Sequence, residues 1–158
     1  MKKLHGGSPQ KAFEQAMRRL FEEQIPFDRV LGIQVASLDP DNARLRFDMR
    51  EDLVGNFLHG QLHGGVISAT LDVTGGFAVM LRMARDKPQD SLEAQLSHFR
   101  RLGTIDLRVD YIRPGKGAHF IASARVLRLG SRVAPVRMEL VNDRGELIAS
   151  GAGAYMVG

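Results

Sequence analysis

At 158 residues and 44% hydrophobic, the chain can build one well-formed core and is too short for two ordinary domains, so residues 1–158 read as a single domain. The absence of cysteine excludes a disulfide framework and a thiolate metal site, and permits a reducing compartment. The net charge of +4 is unevenly spread: nine Lys or Arg against two Asp give His98 to Arg137 a charge of +7 and leave −3 elsewhere, a bias that fits an anionic partner or a solvated sheet face.

In chain order, "MKKLHGGSPQ" opens with two lysines and runs into a charged helix where a secretory signal needs an apolar core, so the expected location is cytoplasmic. Ser8-Pro9 reads as a helix N-cap and first position. Phe13, Met17, Leu20 and Phe21 then form one apolar stripe, predicting a helix over 9–24 that ends before Pro26. "LGIQVASL" and "ARLRFDM" read as two strands joined by the turn "DPDN", with Ala43, Leu45, Phe47 and Met49 facing inward. After a loop holding Gly55, Asn56 and Gly60, residues from Gly64 to Leu81 are long, apolar and without strict alternation. Asp72, two threonines and four glycines inside this run favour a buried core helix over a membrane span. A polar helix at about 90–102 and four strands follow, at about 105–111, 118–129, 132–141 and 146–157. One antiparallel sheet wrapped around one buried helix, an α+β arrangement, satisfies this order with short connections.

The segment "LHGGVISATLDVTGG", Leu62 to Gly76, contains two ionisable groups: His63 at its entrance and Asp72 within it. The HGG opening, an acid nine positions after the histidine, and "GTIDLRVDYIRPG" as the next strand resemble the hotdog-fold acyl-CoA thioesterases, in particular the phenylacetate-degradation thioesterase-like branch. The resemblance covers roughly Phe27 to Val157. It implies a hotdog fold, an acyl-CoA substrate cleaved to free acid and coenzyme A, and no metal or redox cofactor. It also implies a homodimer with sites between subunits, often paired into a tetramer.

The chemistry can be argued from the residues themselves. Thioester hydrolysis passes through an oxyanion, and the free N–H groups of Gly64 and Gly65 at a helix start are donors suited to it. Asp72 is the one acid on the helix, and either attacks the carbonyl or takes a proton from water. Eight residues of helix separate Gly64 from Asp72 by about 12 Å, so if both act, the acid of one chain must meet the glycine of another. A structural reading stands beside each: an interior carboxylate can serve as a hydrogen-bond acceptor, and Gly75 and Gly76 as packing residues.

From the resemblance, His63 arranges the oxyanion site and Thr104 orients water. Related enzymes carry Asn or Gln where this chain has Phe57, which leaves the neighbouring Asn56 as the candidate amide and His59 as a weaker one. The resemblance also points to Gly130, Ser131 and Arg132 in the turn "RLGSR" for the nucleotide end of coenzyme A, and Arg113 at a strand end is a further candidate, since arginine suits forked phosphate oxygens. Phe57, Leu58, Leu62, Phe77, Met80, Leu81 and Met83 are candidates for an apolar acyl channel, leaning to medium or long chains over aromatic acids. With no Trp and two Tyr, bases have little to stack on, and nucleic acid is not an expected partner. An acyl-CoA-binding module without catalysis is the alternative from another class, and it would not need Asp72.

Overall fold

Why the N-terminal helix ends where it does is set by Pro26. In the computed structural model, which describes residues 8–158, α1 spans Pro9–Arg19, with the Ser8 hydroxyl accepting from Lys11 N–H. Lys2 and Lys3 lie outside the described residues. The α-helix expected to reach residue 24 instead widens into a π-turn over Leu20–Gln24, closed by Ile25 N–H to Leu20 C=O at 3.1 Å. Ile25 is extended (φ −79°, ψ 112°), as a residue before proline prefers.

Pro26 then starts a second helix, α2 (Pro26–Leu31), which the sequence reading had partly assigned to a strand. It stops at Gly32, whose φ of +73° is the left-handed conformation that ends helices. The strand read from Leu31 therefore begins later, as β1 (Gln34–Ser37), and turns back into β2 (Ala43–Asp48). Ala43, Leu45 and Phe47 point inward and Arg44 and Arg46 outward, as the alternation predicts.

The expected loop at 54–62 forms a small hairpin, β3 (Val54–Asn56) with β4 (Gln61–Leu62), feeding α3 (Gly64–Asp86). The polar helix is shorter than expected: α4 covers Leu92–Ser97, and a 3-10 turn over His98–Arg100 tightens it before β5 (Gly103–Tyr111) begins. Strands β6 (His119–Val126), β7 (Val133–Asn142) and β8 (Leu147–Met156) complete a six-stranded antiparallel sheet in the order β1-β2-β6-β7-β8-β5.

The sheet curls around α3. Leu71, Phe77, Ala78, Val79 and Met80 on the helix are buried against Leu45, Phe47, Phe120, Met138 and Leu140 on the strands. Phe47 and Phe120 stack with centroids 5.2 Å apart, and Phe21 from the π-turn packs edge-on against Phe77 at 4.9 Å. Helix α3 is long and apolar enough to cross a membrane by composition alone, but 13 of its residues are buried inside the protein. Edge strand β5 is different: it alternates poorly, with Ile105 and Tyr111 each 55% exposed.

One buried group has a direct consequence for stability. The Asp28 carboxyl on α2 is 1% exposed, and both its oxygens lack a hydrogen-bond partner among the described residues. Burial pushes its pKa from 3.8 to about 7. The native state therefore holds a proton that the unfolded chain releases near pH 4, so stability falls as pH rises from about 4 to 7. Urea unfolding at pH 5 and pH 8 is expected to differ by roughly 2 kcal/mol in the wild type, and Asp28→Asn should remove most of that difference.

Candidate active site

The entrance of α3 is held from three sides. Leu62 N–H donates to Gly115 C=O at 2.9 Å and His63 N–H to Leu53 C=O at 2.8 Å. Gly55 lets the hairpin lie close, since a Cβ there would stand 2.6 Å from His63 Cα. His63 is the N-cap: its Nδ1 accepts from Gly65 N–H at 2.8 Å, which leaves the ring proton on Nε2. The two amides expected as oxyanion donors thus separate. Gly65 N–H is already engaged, whereas Gly64 N–H has no acceptor among the described residues. Tyr111 on β5 donates its hydroxyl to Gly64 C=O at 3.1 Å and fixes this first turn to the sheet.

Two turns along α3, the half-buried Asp72 carries two hydrogen bonds on one oxygen. Thr104 Oγ1 donates to Oδ1 at 2.8 Å, and the Tyr155 hydroxyl lies 3.1 Å from Oδ1 and 2.9 Å from the Asp72 backbone oxygen. Oδ2 has no partner among the described residues. Thr104 gives its proton to Asp72, and its lone pairs remain able to accept from water. Tyr155 was not among the residues expected from sequence. Its phenol is buried, and desolvation together with the Asp72 and Asp106 charges raises its pKa above the ordinary tyrosine value.

Gly64 and Asp72 lie at opposite ends of β5, one beside Tyr111 and the other beside Thr104. The helix rise puts them about 12 Å apart along its axis, so one carbonyl cannot touch both within a chain.

The remaining candidates divide by position. Asn56 sits in the β3–β4 hairpin, where its side-chain oxygen accepts from Leu58 N–H at 3.1 Å and shapes the turn. His59 shares this exposed loop, and beside it Phe57 and Leu58 are 83% and 76% exposed. Leu62 is buried at the foot of the hairpin. Phe77, Met80 and Met83 are buried in the core cluster, and Leu81 borders a hollow of about 390 Å³ between α1, α4 and the C-terminal end of α3, away from Gly64.

Gly130, Ser131 and Arg132 form the β6–β7 turn. Gly130 is required there because a Cβ would stand 2.6 Å from Val133 O. Through the register Val133↔Met156↔Gly103, this turn shares the end of the sheet that carries Thr104. Arg113 lies at the other end, with its guanidinium donating to Leu147 C=O at 2.9 Å. Among the described residues no three His, Asp or Glu side chains converge as metal ligands would.

The family model described as the thioesterase superfamily matches residues 59–149. The chain is 41% identical over 151 residues to the medium/long-chain acyl-CoA thioesterase YigI of Escherichia coli K12, covering 92% of this chain and 96% of that protein. A Shewanella oneidensis crystal structure related to the thioesterase superfamily superposes with a TM-score of 0.89 at 37% identity, covering 97% of this chain and all of that one. Mouse thioesterase superfamily member 2 shares the fold at a TM-score of 0.71 and 23% identity over 91% and 96% of the two chains. By the match over its central region and its identity to a relative along nearly its whole length, the chain belongs to the thioesterase superfamily and has the hotdog fold, an antiparallel sheet around one long helix.

Proposed function

We propose that this protein hydrolyses medium- and long-chain acyl-CoA to the free acid and coenzyme A, at sites shared between two copies of the chain. The observation that carries the reading is the pairing of one amide and one carboxylate oxygen that have no partner among the described residues, Gly64 N–H and Asp72 Oδ2, at opposite ends of an edge strand. A nine-residue edge with unpaired backbone groups is a template for strand addition. Two β5 edges laid antiparallel about Leu107 set Thr104 and Asp72 of one copy against Tyr111 and Gly64 of the other. An isologous dimer then holds two equivalent sites.

In such a site the thioester carbonyl oxygen accepts from Gly64 N–H at the positive end of α3, where negative charge develops in the transition state. His63 holds the turn that aims this amide. Asp72 Oδ2 of the other chain meets the carbonyl carbon, directly or through a water held by the Thr104 oxygen. Water is consumed, the carbon–sulfur bond breaks, and the thiol leaves with a proton. The exposed Phe57 and Leu58 and the polar Asn56 at the hairpin tip suit contact with the acyl chain and the thioester. The 41% identity to a medium/long-chain acyl-CoA thioesterase supports the chain-length class.

Arg132, with Ser131 of the same turn, is the candidate for the coenzyme A phosphates, whereas Gly130 shapes the turn, its N–H already donating to Val133 C=O at 3.1 Å. Arg132→Ala is expected to raise KM for acyl-CoA about tenfold and to leave kcat within about twofold, as loss of a charge-assisted contact to a distant part of the substrate does. Steady-state thiol release at several substrate concentrations checks it.

The function is tested by thiol release from acetyl- to palmitoyl-CoA, with phenylacetyl- and benzoyl-CoA alongside. Hydrolysis that rises toward medium and long chains is the expected result. Preference for the aromatic pair would reassign the substrate. Binding without turnover of any thioester would make the protein an acyl-CoA-binding module.

A further inference from the structure

We infer that Tyr155 is a positioning residue for the reaction: it reaches Asp72 through a notch in α3 opened by Gly75 and fixes the carboxylate so that Oδ2, and not Oδ1, meets the substrate. This rests on the hydrolytic reading above.

Three observations converge. First, Oδ1 faces two hydroxyls, Thr104 at 2.8 Å and Tyr155 at 3.1 Å, while Oδ2 has no partner among the described residues. A carboxylate held through one oxygen cannot rotate to exchange the two without breaking both contacts. Second, the two hydroxyls come from different strands: Thr104 lies in the exposed start of β5, and Tyr155 is 1% exposed on β8. A phenol has one proton, and the carboxylate and the backbone oxygen of the same residue both stand within its reach, so the contact ties the side chain to its own helix turn.

Third, the contact exists because position 75 lacks a side chain. A Cβ on Gly75 would overlap the Tyr155 hydroxyl and stand 2.6 Å from Cζ, so any larger residue displaces the phenol. Gly75 costs helix propensity of about 1 kcal/mol relative to alanine, and a close approach is what such a glycine provides. Burial and the nearby Asp72 and Asp106 carboxylates hold the phenol in its protonated, donating form. The Met138 sulfur, 3.8 Å from the hydroxyl, is a weaker third acceptor for the same proton.

Tyr155→Phe keeps the ring and its packing and removes only the hydroxyl. Thiol release is expected to show kcat reduced by about ten- to thirtyfold with KM within about twofold, the signature of a contact that orients the reacting group. In a Thr104→Val, Tyr155→Phe cycle the double variant should lose less than the product of the single losses, since both hydroxyls hold one oxygen. Gly75→Ala supplies an arm independent of any change to the tyrosine, and should reproduce the kcat loss with KM within about twofold.

A Tyr155→Phe protein with wild-type kcat would overturn the proposal, as would a fully active Gly75→Ala protein. A wild-type protein that releases no thiol from any acyl-CoA would instead overturn the hydrolytic reading, so the two failures are separable.

Discussion

Asp72→Asn is expected to fold, melt close to wild type, and lose about 10³-fold or more in kcat, the scale on which removal of a nucleophile or general base acts. Asparagine is the sharper substitution because it keeps the size of the side chain and an Oδ1 able to accept from Thr104 and Tyr155. What it removes is the charge and the second oxygen, the atom without a partner among the described residues. Asp72→Ala should abolish activity as well, but it also removes the side-chain oxygen that Thr104 and Tyr155 share. The exposed Thr104 turns to water and the buried Tyr155 hydroxyl keeps the backbone oxygen of residue 72 at 2.9 Å, so the stability cost is about 1 kcal/mol. Thiol release and thermal melting on both variants separate the chemical loss from the structural one.

Gly64→Pro is expected to reduce kcat by about 10² to 10³, corresponding to about 3–4 kcal/mol for one oxyanion donor, with little change in stability. Proline is suited to the first position of a helix, where its missing N–H would have no intrahelical partner. The preceding residue is compatible as well: His63 sits at φ −63° and ψ 136°, the extended conformation that precedes proline. A Cβ at position 64 meets the Tyr111 ring at 3.4 Å, ordinary contact. The substitution therefore replaces the N–H donor with a ring carbon and leaves the turn in place. Wild-type kcat in a folded Gly64→Pro protein would remove this amide from the reaction.

The sheet was legible where one face is buried and the other wet. Ala43, Leu45 and Phe47 against Arg44 and Arg46 carry the period of β2 in side-chain chemistry alone. Helix α3 was legible by length and lack of alternation, because it is covered on most sides and needs no polar stripe. Helix α2 was lost because six residues show too little periodicity, and Leu31 joined the apolar residues that follow it. The mark that separates them is Gly32, whose left-handed backbone is invisible until the chain is folded.

For the site, the HGG run and the lone acid pointed to Gly64, His63 and Asp72, while the hydrogen bonding that distinguishes Gly64 from Gly65 depends on which way the His63 ring turns. Tyr155 is 83 residues from Asp72 in sequence, and no local pattern joins them. The signal available was Gly75 inside a strong helix, a sign of close approach that names no partner. The apolar candidates show the same limit from the other side. Phe57 and Phe77 are the same residue type, yet one stands at an exposed hairpin tip and the other in the core.

The most direct test of a site shared between subunits is to mix the Asp72→Asn and Gly64→Pro proteins after dissociation, allow hybrid dimers to form, verify them by native mass spectrometry, and measure thiol release. Each hybrid then holds one site with both changes and one with neither, and random pairing restores about a quarter of wild-type activity. Verified hybrids as inactive as their parents would contradict the account, because the glycine and the carboxylate would then have to act from the same chain.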